Sequence, residues 1–351
     1  MARLNSIRIA GWKSIQNIEP KLELGPINVL IGANGSGKSN FISFFRMMSA
    51  LVDERFQAHI GQWGFANSLL HFGSKVTERV EAELEFEIGA DRYRYAVHLT
   101  WAAPDNLLFT EEEIDFQSPD LPSLKLNLID SSPIRESGLR RQASGSQADQ
   151  VAQEIRQVLY RYREFHFNDT SASARIRIPG KIEANRYLES DGGNLAAMLY
   201  LYKQRKPAVY RHIVATVRKI MPTFDDFILD SRLNPQSATL RWRQQGNEYL
   251  FDPQQLSDGT LRALALITLF LQSDEDLPPL IIVDEPELGL HPHAIEIICG
   301  LIRAASLKTQ VILTTQSTTF LDHFAPEEIV VVDSEDGRSV LRHLKAEDLK
   351  D

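Results

Sequence analysis

Residues 27–39 join a short apolar run to a glycine-rich loop and read INVLI followed by GANGSGKS. The run Ile27–Ile31 has the length and composition of a buried strand, and a helical pattern follows over residues 37–52. The loop between them fits G-x-x-x-x-G-K-[ST], in which backbone N–H groups and a helix N-terminus cradle phosphate oxygens. This stretch therefore predicts a loop that binds the phosphates of a nucleotide.

The side chains of this loop are expected to hold a triphosphate and its metal ion. Lys38 is expected to reach the β- and γ-phosphates, and the Ser39 hydroxyl is expected to bind Mg²⁺. The residues predicted to contact the nucleotide are Asn34, Gly35, Ser36, Gly37, Lys38, Ser39 and Asn40.

A second apolar strand, Leu280–Val283, ends in two adjacent carboxylates. Asp284 is suited to hold Mg²⁺, and Glu285 is then placed to orient the attacking water as a general base. Adjacent acids at a strand end are common on protein surfaces, so this assignment depends on the phosphate loop in the same chain.

The apolar runs at the two ends of the chain indicate an α/β fold. A third buried strand is predicted at residues 310–313, and helical patterns follow the last two strands at residues 292–305 and 317–323. Continuous apolar strands suit a sheet that is covered on both faces. We therefore expect a central, mainly parallel sheet in an α/β domain.

The middle of the chain has a different pattern. From Arg79 to Ile88 apolar residues alternate with mostly acidic ones, and the alternation resumes from Tyr93 to Leu99. This predicts an antiparallel hairpin with one solvated face. The polar, breaker-rich stretch from Ser131 to Gln150 predicts a mobile loop.

These patterns divide the chain into a core and an insertion. The core is predicted at residues 1–55 and 246–351, and a mixed α/β lid is predicted at residues 56–245. Helices within the lid are predicted at residues 148–164, 194–205 and 207–220.

Residues 255–260 place Ser257 and Gly259 before an Ala/Leu-rich helix. A serine and free N–H groups at a helix start suit either an ordinary helix cap or an anion contact. The order of segments favours the anion contact, because ATP-binding-cassette ATPases have the same order. In both, a phosphate loop is followed by a long insertion, Ser-x-Gly, an acidic strand and a further strand. In that class the Ser-x-Gly contacts the γ-phosphate held by the opposite subunit, so the resemblance implies that Ser257, Asp258 and Gly259 contact that nucleotide.

In combination, these motifs resemble the stand-alone ABC-type ATPases of the SMC/RecF group, and among them the bacterial proteins labelled AAA family ATPases. The resemblance covers nearly the whole chain. The segments that carry it are residues 7–15, 34–40, 165–171, 191–197, 256–260, 284–292 and 314–317.

The resemblance implies a P-loop ATPase head that binds ATP and Mg²⁺, hydrolyses ATP and closes as a homodimer around two Mg·ATP. It implies that Glu287–His291 touch the partner subunit and that Gln316 occupies the switch position, where many relatives have a titratable histidine. Glutamine can hydrogen-bond but cannot titrate, so we expect hydrolysis to be slow. Lys38, Glu285 and Gln316 are then the expected catalytic residues. Relatives also have a glutamine in a segment called the Q-loop, and in this chain either Gln62 or Gln117 could be that residue.

The insertion is basic, whereas the whole chain of 351 residues carries a net charge of −9. Residues 135–219 contain 16 lysines and arginines against 8 acidic residues. If the basic side chains converge, they form a positive patch for a phosphate backbone or for an acidic protein. Its expected members are Arg135, Arg140, Arg141, Arg161, Arg163, Arg175, Arg177, Lys181, Arg186, Lys203, Arg205 and Lys206.

The sequence contains no apolar run long enough for a membrane span and no secretion signal at its start, so we expect a cytoplasmic protein without a membrane partner. The motifs identify an ATPase, but they do not identify its load, the molecule on which the ATPase acts. A protein partner is favoured over DNA, because the overall negative charge repels DNA outside the basic patch. The alternatives are a RecF-like DNA repair ATPase and a regulatory ATP sensor that controls a nuclease or toxin in a defence module.

Overall fold

The computed structural model describes residues 2–53, 55–130, 133–140, 145–183, 187–230 and 236–344. The strands are β1 (Ala2–Trp12), β2 (Ile15–Asn17), β3 (Leu22–Glu23), β4 (Ile27–Ile31), β5 (Arg79–Ile88), β6 (Asp91–Ala102), β7 (Asn106–Gln117), β8 (Leu124–Asn127), β9 (Arg163–Phe165), β10 (Gly180–Lys181), β11 (Phe224–Asp230), β12 (Ser237–Gln244), β13 (Leu250–Phe251), β14 (Leu280–Asp284), β15 (Gln310–Thr315), β16 (Ile329–Glu335) and β17 (Arg338–His343). The helices are α1 (Lys38–Leu51), α2 (Phe56–Gln62), α3 (Phe65–Leu69), α4 (Gln147–Tyr160), α5 (Leu195–Arg205), α6 (Pro207–Ile220), α7 (Asp258–Phe270), α8 (Pro292–Ser306) and α9 (Thr318–Leu321).

A six-stranded sheet contains the three apolar runs of the sequence, in the order β17-β16-β4-β15-β14-β9. Strand β4 pairs in parallel with β16, with Val29 opposite Ile329, and β16 pairs antiparallel with β17. The predicted strand at residues 27–31 is confirmed, and β14 and β15 extend beyond their predicted ends to Asp284 and Thr315. Strands β4, β14 and β15 are almost entirely buried, as expected for a sheet covered on both faces.

A seven-stranded antiparallel sheet contains β1, β2, β3, β5, β6, β7 and β8, and the predicted hairpin is its β5–β6 pair. Val80, Leu84 and Phe86 on one face of β5 are buried. On the other face, Glu83 accepts hydrogen bonds from Arg94 on β6 and from Lys21. The alternating pattern therefore separates an apolar face from a face of ion pairs.

The ion pairs of Glu83 predict a loss of stability in acid. The hydrogen bond from Arg94, helped by Lys21, lowers the pKa of Glu83 from its ordinary 4.5 to about 2. A carboxyl group with a depressed pKa stabilises the fold above the unfolded-state pKa, and this contribution fades as pH falls from about 5 towards 2. After allowance for solvent screening it is on the order of 1 kcal/mol.

Urea unfolding at several pH values measures this contribution against a Glu83→Gln variant. We expect the wild type to be the more stable at pH 7 and the difference to shrink between pH 5 and pH 3. A difference that stays constant over that range would show that the charge of Glu83 contributes nothing.

The chain is made up of two compact units. The first unit comprises residues 1–163, 278–282 and 324–351, and the second comprises residues 164–277 and 283–323. In the second unit, α5 and α6 follow one another and pack with β11 and β12 of a four-stranded antiparallel sheet. The helices predicted at 194–205 and 207–220 are confirmed, and the second begins at Pro207.

The stretch predicted as a mobile loop is held in place over residues 133–140. Ile134 pairs with Phe109 in an antiparallel bridge, and the buried carboxylate of Glu112 accepts hydrogen bonds from Ser137 Oγ (2.5 Å) and Gly138 N (2.6 Å). The prediction is wrong for this part, because a carboxylate buried beneath the stretch binds its backbone. Residues 131–132 and 141–144 of the same stretch lie outside the described residues.

Within the described ranges, no helix is both long and apolar enough to cross a membrane.

Candidate functional site

The glycine-rich loop lies between β4 and α1 in the first unit, as the sequence predicts. Helix α1 begins at Lys38 behind Gly37, whose φ of +108° is in the left-handed region, and no described side chain caps this helix end. Asn34, Gly35 and Ser39 are exposed. This helix end therefore suits an anion, because the helix dipole favours negative charge there and first-turn N–H groups can bind it.

Polar groups beneath the loop suit a phosphate chain. Lys38 is buried and its Nζ donates to the carbonyl oxygens of Gly32 (2.6 Å) and Ala33 (3.1 Å). Among the described residues nothing hydrogen-bonds the buried Ser36 Oγ. The buried Lys38 ammonium supplies positive charge, and the buried Ser36 hydroxyl supplies a donor that no described residue uses. Both suit the acceptor oxygens of a triphosphate, so this loop fits ATP.

The loop is supported by two serines that the sequence analysis did not single out as site residues. Ser339 Oγ on β17 donates to Ser36 O (2.6 Å) and lies 2.6 Å from Ser14 Oγ. Ser14 Oγ accepts in turn from Asn40 Nδ2 (2.6 Å). Asn40, predicted as a nucleotide contact, is thus tied to the loop's support, and a Cβ atom on Gly37 would lie only 1.8 Å from Ser339 Oγ.

The two acids predicted after the apolar strand, Asp284 and Glu285, lie in the second unit, where their side chains are held by residues at the end of β15 and directly after it. Thr314 Oγ1 donates to Asp284, and Gln316 Nε2 donates to Glu285. The predicted base and the predicted switch residue are therefore in direct contact. Asp284 and Ser39 supply hard oxygen donors, which are the ligands Mg²⁺ prefers.

Glu285 has an unusual backbone for a non-glycine residue. Its φ is +46°, a conformation that costs about 1–3 kcal/mol and occurs preferentially at functional sites. Its N–H donates to Thr314 O (3.0 Å), which holds the turn directly after β14. The strain is consistent with a carboxylate that must be aimed in a fixed direction.

Glu287 begins the segment predicted to touch a partner subunit, and it is half-buried. Burial raises the pKa of its carboxyl group, and the nearby Glu285 acts in the same direction, although Thr315 donates to it. The segment ends at His291, whose Nδ1 accepts from His293 N (3.2 Å) and caps α8.

The predicted Ser-x-Gly contact belongs to the signature loop, by which we mean residues 256–259. Ser257 is the N-cap of α7, and its Oγ accepts from Thr260 N (3.2 Å). A Cβ atom on Gly259 would approach Gly289 O to 2.3 Å, so only glycine fits beside the Glu287–His291 segment. Ser257 and Asp258 are exposed, so the cap leaves both accessible to a ligand.

The structure brings together some of the predicted residues but does not decide the Q-loop. In the second unit Asp284, Glu285 and Gln316 form one cluster, whereas Gln62 ends α2 and Gln117 ends β7 in the first unit, both exposed. A cavity of about 700 Å³ in the first unit is lined by charged residues of both signs and includes Gln117, but none of the phosphate-loop residues. It does not mark the predicted site.

Several members of the predicted basic patch are bound to carboxylates of their own unit. The pairs are Arg175 with Asp191 (3.0 Å), Arg177 with Asp258 (2.8 Å), Lys203 with Asp226 (2.9 Å) and Lys206 with Asp276 (2.8 Å). The prediction is wrong for Arg177, which is buried and cannot belong to a surface patch, and neighbouring carboxylates compensate the charge of Arg175, Lys203 and Lys206. Arg141, Arg186 and the side chain of Arg140 lie outside the described part of the chain.

The fold has solved counterparts over the full length of the chain. It is similar to an SMC head bound to the C-winged helix domain of ScpA, with a TM-score of 0.57, 15% sequence identity and 98% coverage of both chains. It is also similar to the SMC head domain from Thermotoga maritima, with a TM-score of 0.52, 15% identity and coverage of 98% of this chain and 100% of that one. A third similar structure is the Smc head domain with an extended coiled coil bound to the C-terminal domain of ScpA derived from Pyrococcus furiosus, with a TM-score of 0.57, 15% identity and coverage of 99% and 97%.

The fold is therefore that of SMC head domains. Residues 27–322 match the family described as "AAA domain, putative AbiEii toxin, Type IV TA system", and the chain belongs to this family. No curated protein matches the sequence.

Proposed function

We propose that this protein binds and hydrolyses ATP, and that two copies close around two Mg·ATP. The observation that carries the proposal is the phosphate loop, where the uncapped N-terminus of α1, the buried Lys38 ammonium and the Ser36 hydroxyl converge. Family membership and the order of the motifs support joining this loop with the acids after β14 in one active site.

Residues 34–40 hold the phosphates in this proposal, and Ser39 and Asp284 hold Mg²⁺. When bound, Mg²⁺ neutralises charge on the phosphate oxygens. Lys38 compensates the charge of the β- and γ-phosphates. Glu285 orients the attacking water and accepts its proton, and Gln316 holds the Glu285 carboxylate by the hydrogen bond described above.

The signature loop is proposed to complete the site of the other copy. Ser257 is exposed at the start of α7 and offers a hydroxyl and helix N–H groups to the γ-phosphate of the partner. Gly259 permits the close approach of the Glu287–His291 segment, which is proposed to touch the partner subunit. The insertion at residues 56–245 is proposed to transmit this closure to the DNA or protein on which the ATPase acts.

Dimerisation tests this proposal in the Glu285→Gln background, where ATP persists. We expect ATP to double the mass measured by light scattering. Ser257→Arg should prevent the doubling, because a long cation replaces the hydroxyl, and should leave ATP binding by the separate subunit intact. The matched control is Ser306→Arg at the end of α8, which should dimerise like its parent. A mass that changes neither with ATP nor with Ser257→Arg would refute the proposed closure of two copies around ATP.

The load is proposed to be a protein. Two of the similar SMC heads are described as bound to domains of ScpA, a protein partner. In this chain, pairing of Arg175, Arg177, Lys203 and Lys206 with carboxylates reduces the positive charge available for DNA. DNA remains the alternative load, as in a RecF-like repair ATPase, and duplex DNA that stimulates turnover would favour it.

A second function is a regulatory ATP sensor that controls a separate effector such as a toxin or nuclease. The family description favours it, because it refers to a type IV toxin–antitoxin system. An effector that co-purifies with the Glu285→Gln protein in ATP, and that silences ATP turnover by the wild type, would support the sensor. The ATPase that acts on a protein or DNA load and the sensor that controls an effector use the same ATP site. They differ only in the molecule to which closure is transmitted.

A further inference from the structure

One arginine of the second unit is buried beneath the signature loop. Arg177 has only 6% of its surface exposed. Its guanidinium donates to Thr170 O (2.8 Å), Leu256 O (3.2 Å), Pro253 O and the carboxylate of Asp258 (2.8 Å). A planar group with five donors is well suited to fix several acceptors at once.

A second arginine, on the helix that follows the signature loop, binds the stretch of chain that contains Arg177. Arg262 on α7 donates to the carbonyl oxygens of Phe167 (3.2 Å) and Asn168 (3.0 Å), and to Leu288 O (3.0 Å). Residues 165–177 are therefore connected by hydrogen bonds to the residues before and after Ser257. They contain the Phe165–Ser171 motif, which has no role in the proposed ATP chemistry.

The neighbouring Arg175 shows what an ordinary surface arginine does in this segment. It lies at the surface, with 58% of its side chain exposed, and pairs with Glu189 and Asp191. Burying a charged guanidinium as at Arg177 is costly unless every donor finds a partner. Three of the partners named for Arg177 belong to residues 253–258, so the groups that compensate its burial are those of the signature loop and its approach.

We infer that Arg177 is a positioning residue for the signature serine, acting by fixing the main chain on both sides of Ser257. This also gives Asp258 a role: its carboxylate completes the coordination of the buried guanidinium at the middle position of Ser-x-Gly. The functional consequence rests on the proposed contact between Ser257 and the partner's nucleotide. The positioning itself is a property of the single subunit.

Hydrogen–deuterium exchange of the single subunit without nucleotide tests the positioning. In Arg177→Lys, the amides of Thr260 and Leu261, which bond to Ser257, should exchange about tenfold faster or more, because the lysine cannot reach all four acceptors. Arg175→Lys is the matched control and should leave them unchanged. Peptides of α8 should keep their rates in both variants. Unchanged exchange at Thr260 and Leu261, or an equal rise in α8, would overturn the inference.

If Arg177→Lys does not fold, Asp258→Asn replaces it, because Asp258 has 64% of its side chain exposed and the amide keeps the size of the carboxylate. It weakens only the charged contact to Arg177, and exchange at Thr260 and Leu261 should rise several-fold. An unchanged rate in that variant would also overturn the inference.

A second measurement links the positioning to function. In the Glu285→Gln background, Arg177→Lys should raise the protein concentration needed for ATP-driven dimerisation about tenfold, with binding of a fluorescent ATP analogue by the subunit unchanged. Dimerisation equal to that of Arg175→Lys would contradict the link. If the parent protein does not dimerise with ATP, the proposed function fails, and the exchange experiment still decides the role of Arg177.

Discussion

Glu285→Gln should lower kcat for ATP hydrolysis about 100- to 10,000-fold, the usual contribution of a general base, and leave ATP binding intact. The amide keeps the size of the side chain and can still hydrogen-bond Gln316, but it cannot accept a proton from water. Turnover is measured by phosphate release, and binding by a fluorescent ATP analogue.

The matched control for this variant is Glu296→Gln, since Glu296 is a surface residue of α8 with 75% of its side chain exposed. It should hydrolyse ATP at the wild-type rate. If Glu285→Gln also turns over at the wild-type rate, Glu285 is not the base.

Lys38→Ala should weaken ATP binding about 10- to 100-fold, because hydrogen bonds to charged groups contribute about 1.5–3 kcal/mol each. Lys38 is the buried cation of the phosphate loop, and its removal also frees the carbonyl oxygens of Gly32 and Ala33. Titration of the fluorescent analogue measures the change.

Lys75→Ala provides the comparison, because Lys75 is an exposed lysine of the same unit. We expect its ATP affinity to match the wild type. An affinity of Lys38→Ala within twofold of the wild type would mean that the loop does not bind the triphosphate as proposed.

Local patterns were sufficient to predict the strands that carry the site. The apolar run Ile27–Ile31 is β4 itself, and the run at residues 280–283 ends one residue before its strand does. The run at 310–313 stops early because Thr314 and Thr315 are polar in sequence but buried in β15. Their hydroxyl groups bind Asp284 and Glu287, so the same two residues that ended the pattern orient the acids.

Contacts between distant residues could not be predicted in this way. Arg177 belongs by composition to a basic surface, yet it is buried, and three of its four acceptors lie about 80 residues later in the chain. Ser14 and Ser339 support the phosphate loop from positions separated by 325 residues. No spacing rule connects such residues, so only the fold reveals that they act together.

The central claim is that each ATP is enclosed by the phosphate loop of one copy and the signature loop of another. Mixing two inactive variants tests it most directly, because Lys38→Ala disables the phosphate loop and Ser257→Arg disables the signature loop. A dimer containing one copy of each has one intact site, formed by the phosphate loop of the Ser257→Arg copy and Ser257 of the Lys38→Ala copy. Phosphate release by the mixture should therefore rise clearly above the average of the two variants measured separately. A mixture whose turnover equals that average would contradict the account.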